Sequence, residues 1–191
     1  MSDEHLRKVP EILRECAPGV ITLVMSADDY FDVLRGAVRY GDGSRTLLIC
    51  SSLPASLLFS TLDGLGEQTA EIKAVDCISE TLMHPKEASV CYVESPRFLE
   101  ILLLETRRAL LVEERGTTVL LDSVNALTLH NSRERAVAFL EALSNRLRRE
   151  GHLLVLFYIN NTVGKQESIM HDLEILSDRI IVLGDSESNP F

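Results

Sequence analysis

Short apolar runs alternate with amphipathic segments along most of this chain. Continuous apolar runs at 20–25 (V-I-T-L-V-M), 46–50 (T-L-L-I-C) and 153–159 (L-L-V-L-F-Y-I) are typical of strands buried on both faces. Between them lie segments whose apolar residues recur at helical spacing. Because strands that alternate with helices form parallel sheets with right-handed crossovers, the pattern predicts an α/β fold: a parallel sheet with helices on both faces, in a three-layer sandwich.

The other elements follow the same alternation. Further strands are predicted at 72–78, 88–93, 117–122 and 179–183, and helices after Ser26 and Asp28, after Pro54, from Pro96 to Gly116, from Asn131 to Glu150 and through Met170 and Leu173. Gly116 and Gly151 each stand between a helix and a strand, where glycine readily adopts the left-handed conformation that ends a helix. These two glycines mark the boundaries between helices and strands in the second half of the chain.

The ends of the chain differ from its middle. Residues 1–18 are predicted to form an N-terminal helical arm for docking, in which Pro10 breaks or restarts the helix. Residues 19–184 form the α/β domain, and 185–191 are a polar, flexible tail.

Composition narrows the classes of function. A chain of 191 residues, 46% hydrophobic and 25% charged, suits one globular domain with a substantial core. Its net charge of −10 makes nucleic acid an unlikely partner. No apolar run reaches the roughly 18 residues that span a bilayer, and the start is polar, so no membrane insertion and a cytoplasmic location are predicted. Four cysteines and five histidines lack ligand spacing, so no metal site is predicted.

The segment T-T-V-L-L-D-S-V-N at 117–125 carries the most informative polar residue. Apolar residues run directly into Asp122, which suits a buried strand whose carboxyl end meets the ligand edge of an open α/β sheet. An apolar strand that ends in Asp is also the form of the Walker B element, whose carboxylate holds Mg²⁺. The competing interpretation is an Asp that caps the following turn.

The stretch 117–183 resembles the KaiC-like branch of the RecA superfamily of P-loop ATPases. The resemblance rests on T-T-V-L-L-D-S-V-N-A-L, on G-H-L-L-V-L-F-Y-I-N-N after the next helix, and on L-S-D-R-I-I-V-L at the end. It implies a RecA-like sheet. It also implies that 46–50 is the strand before the phosphate loop and that the strand from Ile72 would end in a catalytic carboxylate.

The resemblance assigns candidate roles by position. Asp122 takes the place of the Mg²⁺-associated Walker B aspartate, with Ser123 beside it, and Glu80 falls near the water-activating glutamate. Asn160 or Asn161 lies at the sensor-like end of the next strand, although an Asn pair is also a common turn signal.

The phosphate loop is where this chain departs from the family. A phosphate loop needs glycines that aim backbone N–H groups at phosphate and a Lys that reaches the β and γ oxygens. This chain has no Gly between Gly43 and Gly64 and no Lys between Lys8 and Lys73. The degenerate phosphate-loop position consists of Ser51, Ser52, Pro54 and Ser56. The sequence therefore predicts no cofactor and leaves Asp122 and Glu80 as vestigial candidates only.

The prediction that follows is a non-catalytic, RecA/KaiC-like regulatory or structural interaction protein with a degenerate ATPase site. The family's ring and filament interfaces imply a homo-oligomer or a complex with another protein. Two alternatives stay open. One is an ATPase with an unorthodox phosphate loop. The other is a nucleic-acid accessory protein that binds through Arg146, Arg148 and Arg149, residues that also suit a solvated helix face.

Overall fold

Seven parallel strands form the sheet around which the rest of the chain is arranged. A computed structural model describes residues 3–40, 46–62, 72–79, 89–111, 116–160 and 167–183. The strands are β1 (Gly19–Met25), β2 (Thr46–Cys50), β3 (Ile72–Asp76), β4 (Val90–Tyr92), β5 (Thr118–Leu121), β6 (Leu153–Ile159) and β7 (Arg179–Val182). Their order in the sheet is β4-β3-β2-β5-β6-β1-β7, with every pair parallel.

Helices cover both faces of this sheet. One face carries α1 (Asp3–Cys16), α2 (Tyr30–Tyr40) and α3 (Ala55–Leu62). The other face carries α4 (Leu99–Leu110), α5 (Val124–His130), α6 (Arg133–Glu150) and α7 (Glu167–Leu176). The three-layer α/β architecture predicted from the sequence is confirmed.

The central strands supply both hydrophobic cores. Alternate side chains of a strand point to opposite faces, so Ile21 and Leu23 of β1 enter the core under α1 to α3, while Val20 and Val24 enter the core under α4 to α7. Every residue of β1, β2 and β5 is buried. Each such Leu, Ile or Val contributes about 1.5–3 kcal/mol by leaving water. Two-sided burial explains why these strands read as continuous apolar runs.

The predicted ends of α6 are confirmed by its capping groups. Ser132 accepts a hydrogen bond from the Arg135 N–H at 3.4 Å, and Gly151 ends the helix with a φ of +77°. Gly116 also has a positive φ, of +93°. The sequence did not predict α5, because seven residues are too few to show a helical period. Its signal was Ser123, whose hydroxyl accepts the Ala126 N–H at 3.1 Å.

Three expectations about the chain ends and β3 need correction or fall outside the structure. Pro10 does not break α1, because Val9 and Leu13 are fully buried and their packing outweighs the roughly 3 kcal/mol that an internal proline costs. The predicted arm therefore packs on α2 and contributes to the core of this same chain.

Strand β3 ends at Asp76, two residues early, because the Asp76 carboxylate turns the chain. The tail at 185–191 lies outside the described residues.

The described helices contain no stretch that is both long enough and apolar enough to cross a membrane.

Asp178 joins the start of β1 to the end of α6. Its Oδ2 accepts the Val20 N–H at 2.7 Å, and the Arg148 guanidinium donates to Oδ1 at 3.0 Å. Gly19 lies so close that a Cβ there would meet Asp178 Oδ2 at 2.9 Å. Partial burial pushes the pKa of Asp178 up, but the hydrogen bonds from Val20 and Arg148 hold it below its ordinary value.

We predict that Asp178→Asn lowers the free energy of unfolding at neutral pH by about 1 kcal/mol, a value kept small by solvent screening of the half-exposed pair. A depressed native pKa stabilises the fold above the unfolded pKa and stops doing so as pH falls through the native pKa. The difference between wild type and Asp178→Asn should therefore be full at pH 6 and shrink below the ordinary Asp pKa of 3.8.

Urea unfolding across this pH range measures the difference. Asp28→Asn, which removes one charge from an exposed position in the β1–α2 turn, is the matched control. A pH-independent difference between Asp178→Asn and wild type would contradict the assignment.

Candidate functional site

The carboxylate of Asp122 lies at the carboxyl edge of the sheet and binds the turn between β2 and α3. Oδ1 accepts the Ser51 N–H at 2.7 Å and the Ser51 hydroxyl at 2.5 Å. Oδ2 accepts the Ser52 N–H at 2.9 Å, the Ser52 hydroxyl at 2.8 Å and the Leu53 N–H at 3.2 Å. The structure thus brings the predicted Walker B position into direct contact with the predicted phosphate-loop position.

These five hydrogen bonds use the full accepting capacity of Asp122. An ionised carboxylate has about four lone-pair sites on its two oxygens. Asp122 is 1% exposed, so no solvent-facing oxygen remains. A metal ion or a phosphate between Asp122 and the turn would first have to displace the Ser51 and Ser52 donors.

A second buried carboxylate, that of Asp76 at the end of β3, also accepts a hydrogen bond from this turn. Its Oδ2 accepts the Ala55 N–H at 2.7 Å and the Ser79 hydroxyl at 2.5 Å. Its Oδ1 accepts the N–H groups of Ile78 and Ser79 at 2.7 and 2.9 Å. Since Pro54 has no N–H, every N–H from 51 to 55 donates to Asp122 or Asp76.

The surroundings of Asp122 have a low dielectric. Burial raises the pKa of the Asp122 carboxyl above its ordinary value, although the hydrogen bonds from Ser51 and Ser52 pull it down. Burial, and then the nearby Asp122, raise the pKa of Tyr30 and of the thiols of Cys50 and Cys77. These thiols stay protonated at neutral pH.

The contacts continue from Asp122 towards β6 and β1. The Ser51 hydroxyl lies 2.9 Å from the Ser123 carbonyl oxygen. The Asn125 side chain donates to the Ile159 carbonyl at 3.0 Å and accepts the Ile159 N–H at 2.8 Å. The Asn160 N–H in turn donates to the Met25 carbonyl at 2.8 Å. The carboxyl ends of five strands are therefore joined by short polar contacts.

Sequence reasoning missed two members of this arrangement. Asp76 carried the same signal as Asp122, because I-K-A-V-D also ends an apolar run in Asp. Asn125 carried no local signal, because its partner Ile159 is 34 residues away. Of the predicted positions, Glu80 and Asn161 lie outside the described residues, so Asn160 alone of the Asn pair can be placed.

The carboxyl edge contains two crevices, because neighbouring strands send their helices to opposite faces at β2/β5 and at β6/β1. The second crevice is bordered by Ser26–Asp29, which sequence analysis did not consider as a phosphate-loop position. There the Ser26 hydroxyl donates to Asp29 Oδ2 at 2.6 Å. This turn also lacks Gly and Lys and carries Asp28 and Asp29. The placement of the phosphate loop at 51–56 stays a prediction, but neither turn has the residues of a phosphate cradle.

The predicted basic patch lies at the opposite edge of the sheet, and its guanidinium groups have partners in the chain. Arg146 pairs with Glu150 at 2.6 Å. Arg148 pairs with Asp178 and donates to the Leu176 carbonyl at 2.6 Å. The Arg149 Nε donates to the Asn145 carbonyl at 3.1 Å.

Within the described ranges, no three His, Cys, Asp or Glu side chains converge on a point where they could hold a metal ion.

Comparison with solved structures identifies the fold of this chain. An uncharacterized protein, PH0321 from Pyrococcus horikoshii, solved in complex with an unknown peptide, is 12% identical, with 94% of this chain and 84% of that chain covered at a TM-score of 0.63. The KaiC-like protein PH0186 from the same organism is 16% identical, with 91% and 76% covered, also at 0.63. A third P. horikoshii structure, PH0250, is 13% identical, with 93% and 88% covered, at 0.59.

No family model matches this sequence, and neither does any curated protein. The structural likeness defines the class by fold: the chain has the RecA-like α/β fold of its KaiC-like neighbour.

We predict that Asp122→Asn destabilises the protein by about 3 kcal/mol, because an amide at this position turns one acceptor into a donor that faces buried N–H groups. The measurement is the urea midpoint, with an unchanged slope to show that the same structure unfolds. Asp28→Asn, an exposed Asp to Asn change in the β1–α2 turn, should stay within about 0.5 kcal/mol of wild type. Equal midpoints for Asp122→Asn and Asp28→Asn would show that the contacts to the β2–α3 turn contribute nothing.

Proposed function

We propose that this protein is a non-catalytic, RecA/KaiC-like regulatory or structural interaction protein whose ATPase site has degenerated. The observation that carries the proposal is that Asp122 and Asp76 accept hydrogen bonds from the N–H groups from 51 to 55. The residues that the resemblance assigns to the phosphate loop therefore stabilise the fold in this proposal.

The electrostatics of the turn support this conclusion. A helix N-terminus attracts an anion because its N–H groups are unpaired and carry partial positive charge. At α3 these groups already face two carboxylates of the same chain. A phosphate would meet negative charge in a buried setting, with no Lys between Lys8 and Lys73 to compensate it.

The alternative of an ATPase with an unorthodox phosphate loop gains no support from either crevice. At β2/β5 the donors are occupied, and at β6/β1 the turn carries Asp28 and Asp29. The alternative of a nucleic-acid accessory protein is weakened by the net charge of −10 and by the pairing of Arg148 with Asp178. Neither alternative is proposed.

An interaction role agrees with one of the structural neighbours. The uncharacterized P. horikoshii protein of the same fold was solved with a peptide bound. We infer that this fold can serve as a peptide-binding or protein-binding scaffold, and that the present chain works through a protein complex or a homo-oligomer.

Calorimetric titration of the wild-type protein with ATP and Mg²⁺ tests the proposal. We expect no saturable heat with ATP, ADP or GTP at concentrations up to about 1 mM. A dissociation constant of about 1 mM corresponds to a binding free energy of only about 4 kcal/mol, so this result would limit nucleotide binding to a weaker interaction than that. Saturable, Mg²⁺-dependent binding tighter than about 10 µM would overturn the proposal.

A further inference from the structure

A basic cavity lies at the amino edge of the sheet, opposite the Asp122 site. It has a volume of about 300 Å³ and is formed by the ends of α4 and α6 with the residue before β6. Its charged lining comprises Arg107, Arg146, Arg149 and Glu150, and His152 lines it as well. This cavity shares no residue with the carboxyl-edge network.

Two buried polar atoms of this lining have no hydrogen-bond partner among the described residues: the Nε of Arg146 and the Nδ1 of His152. His152 is 4% exposed, and burial lowers its pKa, so the ring is neutral at physiological pH. A buried polar atom without a partner costs about 1–3 kcal/mol. Both atoms are themselves buried, so a ligand offsets this cost only where a shift of the Arg146 or His152 side chain exposes them to it.

The charge balance selects the ligand. Arg107, Arg146 and Arg149 bring three positive charges, and Glu150 removes one. The C-termini of α4 and α6 each add about half a negative charge. Among the described residues, what remains is close to a single positive charge, which suits one carboxylate better than a phosphate group with two charges.

The apolar part of the cavity points to a peptide. Leu111 at the edge is 69% exposed, whereas its neighbour Leu110 is 5% exposed. Among the described residues, no aromatic side chain lines the cavity, so stacking of nucleic-acid bases has no support. The net charge of −10 also repels a phosphate backbone. A carboxylate beside an apolar side chain matches this combination of guanidinium groups and leucine.

We propose that the cavity lined by Arg107, Arg146, Arg149 and His152 binds an acidic segment of a partner protein, with one Asp or Glu carboxylate among the arginines and a neighbouring apolar side chain against Leu111. This inference rests on the proposed interaction function and names the chemistry of its partner. Glu150 competes with the incoming carboxylate for Arg146, because the two already pair at 2.6 Å.

The test uses a fluorescent peptide of alternating Glu and Leu and the same peptide with Gln for Glu, titrated into the full chain and read by anisotropy. We expect saturable binding of the Glu peptide only. Arg149→Glu and Arg107→Glu should each weaken it about tenfold, since a reversed charge repels the carboxylate. Glu150→Gln should strengthen binding, because it frees Arg146 and removes the competing charge.

The matched control is Arg39→Glu, which makes the same charge change at an exposed position of α2 on the other face of the sheet. It should leave the affinity for the Glu peptide within about twofold of wild type. A second readout is the ¹⁵N shift of the His152 ring, which should move on binding of the Glu peptide and stay still with the Gln peptide.

Equal binding of the two peptides, equal weakening by Arg39→Glu, or displacement of the Glu peptide by a single-stranded oligonucleotide would each overturn the inference. The two proposals fail separately. Tight ATP binding would remove the non-catalytic function and leave the amino-edge cavity untouched. Loss of peptide binding would remove this cavity as the contact site and leave the occupied β2–α3 turn as it is.

Discussion

The contact between the Asp122 carboxylate and the β2–α3 turn fixes the whole carboxyl edge of the sheet. Its hydrogen bonds connect the end of β5 to the residues after β2. The Asp76 carboxylate connects the end of β3 to the same turn through the N–H of Ala55. From there the Asn125 side chain extends the hydrogen bonds to Ile159 of β6. A parallel sheet normally leaves its carboxyl edge open for ligands. Here the same edge is closed by the protein's own acids, so the geometry that suits a ligand has become part of the fold.

This closure has a physical cause in the cost of burying charge. A carboxylate that is 1% exposed loses its hydration, and only several well-placed donors can offset that loss. Backbone N–H groups at a turn before a helix are the donors at hand, and the hydroxyls of Ser51 and Ser52 add two more. A glycine and lysine loop would present these groups to solvent and phosphate. The serines and Pro54 hold them against the sheet.

Local sequence signals predicted most of the fold and part of the site. The bounds of β2 and β6 could be predicted because their runs are continuous and end at polar residues, and α6 because Ser132 and Gly151 cap it. The position of Asp122 at a strand end followed in the same way. Its partners did not, because the contact to Ser51 spans 71 residues and depends on β2 and β5 being neighbours. A local sequence pattern does not determine the order of strands in the sheet. For the same reason, sequence reasoning did not identify the turn after β1 as the border of a second crevice.

The two edges of the sheet thus differ in what they leave unsatisfied. At the carboxyl edge, the backbone donors of the β2–α3 turn have acceptors and both acids are saturated, although the buried Tyr30 hydroxyl has no hydrogen-bond partner among the described residues. At the amino edge, Arg146 and His152 keep buried polar atoms without a partner among the described residues, and Leu111 beside them is exposed. A fold gains little by binding a ligand where its hydrogen bonds are already complete, since each new bond must replace an old one. It gains more where a bond is missing. The proposed contact with a partner carboxylate is therefore placed at the amino edge.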